Sequence, residues 1–117
     1  MKKILFLLLI SSTLSAQIFI SDEYSTRLMS EREYSSPEIS TTIITITEKV
    51  IMISDSGGYK VYAISDVEHK KYEYTEYHAT LIAKQNFYNI ALRITSENIF
   101  LTIPGKFYTL KLSKVWP

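Results

Sequence analysis

The sequence predicts an all-β domain built as an antiparallel meander of about seven strands. Residues 39–115 are dense in Ile, Thr, Tyr, Val and Phe, the residue types that suit a pleated, half-buried surface. Several segments there alternate between apolar and polar residues, the pattern of a strand with one buried face. Short turns separate these segments, and short connections favour antiparallel pairing between successive strands.

The first sixteen residues have the layout of a secretory signal peptide. Residues 1–3 form a short positive segment that contains Lys2 and Lys3, residues 4–10 are an unbroken apolar run, and residues 11–16 are mostly small and polar. A membrane anchor is the alternative, but a span needs about 20 predominantly apolar residues. We therefore expect cleavage after Ala16 and export to the periplasm or the extracellular space. Because the chain has no cysteine, a thiol-linked lipid anchor and disulfides are both excluded.

The mature chain divides into two regions by composition. Residues 17–38 are polar and predict an N-terminal arm that is either irregular or contains one short strand or helix, and Pro37 limits any regular element there. Residues 39–117 predict the β-meander itself. Together they have the size of one domain.

The first strands are expected at 39–47 and 49–54, followed by a Gly-rich turn at 55–58. A third strand is expected over 59–65. Residues 72–83 exceed the usual length of a strand, so we expect a bend or bulge near Tyr77 and His78.

The last strands show the clearest alternation, over 89–95, 99–103 and 108–112. The loop at 96–98 ends in Asn, which tolerates the left-handed conformation of hairpin loops. Pro104 and Gly105 suit a type II turn, whose twist predicts a loop slightly longer than the tightest hairpin.

A meander of this length closes into a barrel or folds into two packed sheets. We expect a barrel-like or strongly curved sheet, because no long crossover follows residue 39. A two-sheet β-sandwich is the alternative.

Candidate chemistry concentrates between residues 66 and 78, the segment that holds both histidines. Glu76 and His78 are two residues apart and share one face of an extended strand. They could bind zinc or act as an acid–base pair, but a catalytic zinc ion is usually coordinated by three protein ligands. His69 is the only other histidine, so Glu76, His78 and His69 are weak metal candidates, and we expect neither metal nor cofactor.

Tyrosine gives a second candidate, because the chain has nine. Tyr72 and Tyr74 share a face with Glu76 and His78, and such a surface suits sugars, peptides or protein partners. The alternative is that tyrosine is simply a good strand residue. We name Tyr72, Tyr74, Glu76 and His78 as the expected ligand-binding residues.

Charge and motifs exclude several function classes. The chain has 13 basic and 12 acidic residues, two of the basic ones in the predicted signal peptide, so nucleic acid is not an expected partner. There is no Gly-x-Ser-x-Gly motif and no phosphate-binding loop. No membrane anchor is expected after signal cleavage.

We therefore expect an exported, non-enzymatic binding protein for an unknown small molecule or protein. Its site would be an interior pocket or the tyrosine-bearing sheet face. One alternative is a structural or interaction domain that pairs, or forms homo-oligomers, through exposed strand edges. Another is a small metal-dependent hydrolase around Glu76 and His78.

Overall fold

The computed structural model describes residues 16–82 and 87–116, and they form eight β-strands. In chain order the strands are β1 Gln17–Leu28, β2 Glu38–Ile46, β3 Val50–Asp55, β4 Gly58–Lys70, β5 Tyr74–Leu81, β6 Asn89–Ile94, β7 Asn98–Ile103 and β8 Lys106–Trp116.

The strands form a closed, antiparallel, up-and-down barrel. Each strand pairs with the next along the chain, and β8 returns to pair with β1. This confirms the all-β meander in its barrel form rather than the sandwich alternative, with eight strands where about seven were expected. Residues 1–15 of the predicted signal peptide lie outside the described residues, and β1 begins directly after the expected cleavage site.

The segment 17–38, expected as a polar arm, contributes the twelve-residue strand β1 to the barrel. The register of β1 shifts between Ser21 and Glu23 against both of its neighbours. Because a bulge changes which residues face inward, Phe19 and Ser21 lie inside before it and Tyr24 lies inside after it. Because the bulge interrupts the alternation of apolar and polar residues, the sequence pattern did not predict the full strand. The barrel therefore begins at β1 and not at residue 39.

A second irregularity lies where β4 meets β5. Ile64 pairs with Ala79 and Asp66 pairs with His78, which leaves Ser65 as an extra residue in β4. The bulge expected near His78 is therefore in the facing strand, and β5 is only eight residues long. The Ser65 hydroxyl donates a hydrogen bond of 3.0 Å to the His78 carbonyl.

The β7–β8 turn is tighter than its sequence predicts. Ile103 pairs with Lys106, so only Pro104 and Gly105 connect the two strands. Gly105 has a φ of 78°, the left-handed conformation that the third position of a type II turn requires. The Gly105 carbonyl accepts a hydrogen bond of 2.9 Å from the Met29 N–H, which ties the turn to the end of β1.

Aliphatic side chains fill much of the barrel interior. Ile44, Ile51, Leu92 and Ile99 are at most 1% exposed and come from four different strands. The other buried apolar residues of this core are Phe19, Ile46, Tyr62, Ala79, Leu81, Ile90, Leu101 and Leu110. Because the core lies on only one side of the sheet, each strand needs one apolar face, and buried residues alternate with more exposed ones along β6 and β7.

In the part of the chain that the structure describes, no helix has the length and hydropathy needed to cross a membrane.

Candidate functional site

The barrel interior opens into a cavity at the end that carries the β3–β4 and β7–β8 turns. Its volume is about 490 Å³, within the range of small-molecule sites. The most buried lining residues are Thr42, Tyr62, Leu101 and Leu110, which form the floor where the cavity meets the packed core. The β3–β4 turn over residues 55–58 lies at the open mouth.

Two tyrosines meet at the inner part of the cavity. Tyr62 of β4 and Tyr88, just before β6, have hydroxyl oxygens 3.1 Å apart. Their rings are edge to face, with centroids separated by 6.1 Å. Burial raises the pKa of the Tyr62 hydroxyl far above its ordinary value, and the hydrogen bond with Tyr88 raises it further. Tyr62 therefore stays neutral and acts as a hydrogen-bonding group rather than as a base.

A second tyrosine pair lies across the cavity. Tyr24 of β1 and Tyr108 of β8 occupy neighbouring strands, with ring centroids 6.2 Å apart. The Tyr24 hydroxyl donates to Glu38 Oε2 at 2.6 Å, and this hydrogen bond is the main reason that the Tyr24 pKa is raised. Glu38 thus holds the Tyr24 ring in place at the side of the cavity.

Formal charge in the described cavity lining is confined to the mouth. Asp55 and Lys60 are both exposed there. Asp55 Oδ1 accepts a hydrogen bond of 2.8 Å from the Gly57 N–H, so this carboxylate also shapes the β3–β4 turn. The inner lining consists of aliphatic side chains, tyrosine rings and hydroxyl groups.

Such a lining suits binding of an amphipathic small molecule. Aliphatic and aromatic walls bury apolar surface, while a few hydroxyls orient the ligand. A small eight-stranded barrel is wide enough either to be filled by side chains or to hold one small ligand. This barrel does both, with a packed core at one end and a cavity at the other.

The residues expected to bind a ligand are outside the barrel. Tyr74, Glu76 and His78 alternate along β5 with Tyr77 and Ala79, which face the core. Tyr72 precedes β5 in the β4–β5 turn and is 94% exposed. None of the four predicted residues lines the cavity, and their binding role stays a prediction.

The outer residues of β5 form a network with β6. Arg93 Nε donates to Glu76 Oε1 at 3.0 Å, and the Arg93 guanidinium lies 3.9 Å from the centre of the Tyr74 ring. His78 Nε2 is 3.1 Å from Glu76 Oε2. The network therefore brings Tyr74, Glu76 and His78 together and braces two neighbouring strands on the outer surface.

His69 does not join this network. It pairs with Thr75, and its Nδ1 lies 3.2 Å from Thr75 Oγ1. Thr75 and Tyr77 share the inner face of β5, so His69 is on the opposite side of the sheet from Glu76 and His78. Within residues 16–82 and 87–116, no group of three or more His, Cys, Asp or Glu side chains could hold a metal ion. The third ligand that a hydrolase would need is not supplied there.

The sequence interpretation did not select the tyrosines of the cavity as a site. Tyr24, Tyr62, Tyr88 and Tyr108 are distant in the chain, so no short motif contains them. Tyr62 and Tyr108 carried one signal, since each lies on the apolar face of an alternating strand. The hydroxyl of an interior tyrosine needs a hydrogen-bonding partner, and this requirement could have identified Tyr62 and Tyr108 as candidate site residues.

A search of protein-family models and of curated proteins by sequence finds no match to this chain.

Proposed function

We propose that this protein is a non-enzymatic binding protein that holds a small amphipathic molecule in the cavity at the barrel end. The observation that carries the proposal is a cavity of about 490 Å³ at the end of an otherwise packed barrel. Its lining includes five tyrosines, namely Tyr24, Tyr62, Tyr88, Tyr108 and the more exposed Tyr59. A barrel stabilised by packing alone has no structural need for such a space, because empty volume costs contact energy.

The position of the tyrosines supports the same proposal. Their rings add apolar surface, and their hydroxyls supply a few neutral polar groups, the combination found in small-molecule sites. The Tyr62–Tyr88 and Tyr24–Glu38 hydrogen bonds hold three of the rings before any ligand arrives. Groups ordered in advance reduce the entropy lost on binding.

An uncharged fluorescent probe tests the proposal. N-phenyl-1-naphthylamine becomes bright in apolar surroundings, and we expect saturable binding with one probe molecule per chain. Ser40→Trp places a large side chain on the cavity wall and should abolish or strongly weaken this binding.

The matched control is Thr41→Trp, one residue along the same strand. Thr41 is exposed, lies on the other face of β2 and does not line the cavity. Thr41→Trp should bind the probe as the unchanged protein does, provided that both variants keep the circular dichroism of the folded barrel. Equal binding by the two variants, or no saturable binding by the unchanged protein, contradicts the proposal.

The proposal includes export, with the working form beginning at Gln17. The support is the three-part pattern of residues 1–16 and the start of β1 at Gln17, so that cleavage would leave the strand whole. After expression of the full chain in a Gram-negative host, mass spectrometry of the periplasmic fraction should find Gln17 as the N-terminus. Leu8→Arg interrupts the apolar run and should retain the uncleaved chain in the cytoplasm. Retention of the unchanged chain in the cytoplasm would contradict the proposed export.

A further inference from the structure

Charge and hydroxyl groups are separated along the depth of the cavity. The charged lining residues, Asp55 and Lys60, are exposed at the mouth. The floor around Thr42, Tyr62 and Leu101 offers only hydroxyl groups and hydrocarbon among the described residues. A ligand that reaches this floor must leave water without finding an opposite charge, and that is costly for an ionised group.

The hydroxyls of the inner cavity have unused hydrogen-bonding capacity. Tyr62 and Tyr88 have two O–H groups, and only one of them is used in the bond between them. Thr42 and Tyr108 add two more hydroxyl groups to the lining. Each of these hydroxyls both donates and accepts, so they match the hydroxyl or carbonyl groups of a ligand.

Flat apolar walls surround these hydroxyls. Ile53, Ile103 and Leu110 line the cavity together with the two tyrosine pairs, whose rings are inclined to each other by 48° and 68°. A ring-shaped ligand would bury its faces against these side chains while its polar substituents reach the hydroxyls. A cavity of about 490 Å³ has room for one such molecule.

We propose that the cavity binds an uncharged ring compound that carries hydroxyl or carbonyl groups, and that it discriminates against a formal charge on the inserted end. This inference rests on the proposed binding function and names the class of ligand for the same cavity. Aromatic alcohols and sugars share this chemistry, and the experiment distinguishes them.

Five small probes compared by NMR titration of the ¹⁵N-labelled protein test the ligand class. Benzyl alcohol and glucose are the two uncharged hydroxyl-bearing rings, benzoate and benzylammonium carry a charge, and toluene has no polar group. At least one of the first two should shift the resonances of lining residues and bind about tenfold or more tightly than either charged probe, because desolvation penalises the charge. The tighter of the two identifies the source of the ligand.

Thr42→Val tests the hydrogen-bonding part of the inference. It removes the floor hydroxyl with little change of shape, so binding of the preferred alcohol should weaken several-fold while toluene binding stays unchanged. Thr45→Val is the matched control, because Thr45 lies on the outer face of the same strand. Tyr62→Phe gives a second variant with the same expected pattern.

The outcomes separate this inference from the binding function itself. Benzoate or benzylammonium binding as tightly as both uncharged alcohols overturns the ligand class and leaves the cavity as a binding site. Toluene binding as tightly as the preferred alcohol overturns the role of the hydroxyls. If no probe shifts any lining residue, the inference fails, and binding of the fluorescent probe still decides the proposed function by itself.

Discussion

Tyr62 lies where the packed core of the barrel gives way to the cavity. Its ring is only 3% exposed and belongs to the core, while its hydroxyl reaches Tyr88 at 3.1 Å. One side chain therefore contributes apolar burial on the side of the core and a polar group on the side of the cavity. A phenylalanine would supply the first of these and leave Tyr88 without its partner.

At the same scale, two neighbouring isoleucines show that adjacent residues of a strand lie on opposite faces of the closed sheet, one inside the barrel and one outside. Ile44 is 1% exposed inside the barrel, and Ile43, next to it on β2, is 38% exposed on the outside. Ile44→Val should lower the free energy of unfolding by about 0.5–1.5 kcal/mol, because it removes a methyl group from a closely packed core. Urea denaturation measures this loss.

The control for Ile44→Val is the same substitution one residue away. Ile43→Val should change the free energy of unfolding by less than about 0.5 kcal/mol, as is usual for surface positions. Equal losses in both variants would mean that the two faces of β2 are buried alike, contrary to the barrel.

At the scale of the element, bulges decide which residues face the interior. The bulge in β1 places both Ser21 and Tyr24 inside, three residues apart, and the Ser21 hydroxyl donates to the Glu23 carbonyl across it at 2.9 Å. The bulge in β4 lets Ile64 face inward while Asp66 faces outward with His78. Without these shifts, polar side chains of β1 and β4 would be directed into the apolar core.

The β4–β5 turn carries strain at one exposed tyrosine. Tyr72 has a φ of 65°, a left-handed conformation that costs non-glycine residues about 1 kcal/mol or more. Its ring has a cation–π contact with Lys71, whose Nζ lies 5.1 Å from the ring centre. Because Asn tolerates this conformation, Tyr72→Asn should raise the free energy of unfolding by about 0.5 kcal/mol after the loss of that contact.

Thermal or urea denaturation measures the change in the free energy of unfolding. Tyr72→Val is the control, and its stability should change in the opposite direction. A β-branched residue suits positive φ poorly, so Tyr72→Val should destabilise the protein. A loss of stability in Tyr72→Asn would show that the tyrosine contributes more at this position than its strain costs.

At the scale of the whole molecule, closure of the sheet stabilises the fold without disulfide bonds. β1 and β8 pair over ten residue positions, so the sheet has no terminal strand for most of its length. Closure satisfies the backbone groups that an open sheet would expose, and it encloses the core without cysteine.

The interior tyrosines couple the stability of the whole barrel to alkaline pH. Burial raises the pKa of Tyr62 and of Tyr77, so the folded protein keeps protons that the unfolded chain releases near pH 10. Their contribution is complete below about pH 10, and the free energy of unfolding should fall as the pH rises beyond it. Urea denaturation between pH 8 and pH 11 measures this fall.

Tyr62→Phe should show a shallower fall above pH 10 than the unchanged protein, because it lacks one of the retained protons. Ile44→Val is the control, since it lowers stability without removing a titrating group, and its curve should run parallel to that of the unchanged protein. Parallel curves for Tyr62→Phe as well would mean that the Tyr62 pKa is the same in the folded and unfolded states.

Local patterns were sufficient to predict the all-β class, the antiparallel meander and the strands from β6 to β8. Ile90, Leu92 and Ile94 repeat every second residue, and this spacing by itself puts them on one face of a strand. The same reasoning failed to find the full length of β1, because the bulge after Ser21 changes the phase of its pattern. Alternation also left barrel and sandwich open, since both need one apolar face on each strand.

Only the tertiary structure decided which tyrosines share a cavity. Tyr24, Tyr62, Tyr88 and Tyr108 come together because β8 pairs with β1 and the closed sheet brings distant strands to face one another. Tyr72 and Tyr74, which the sequence puts beside Glu76 and His78, are on the outside because β5 directs Tyr77 and Ala79 inward.

The sequence by itself determined the strands and their periodicity, which depend on neighbouring residues. Closure of the sheet determined the cavity, which depends on contacts between residues far apart in the chain.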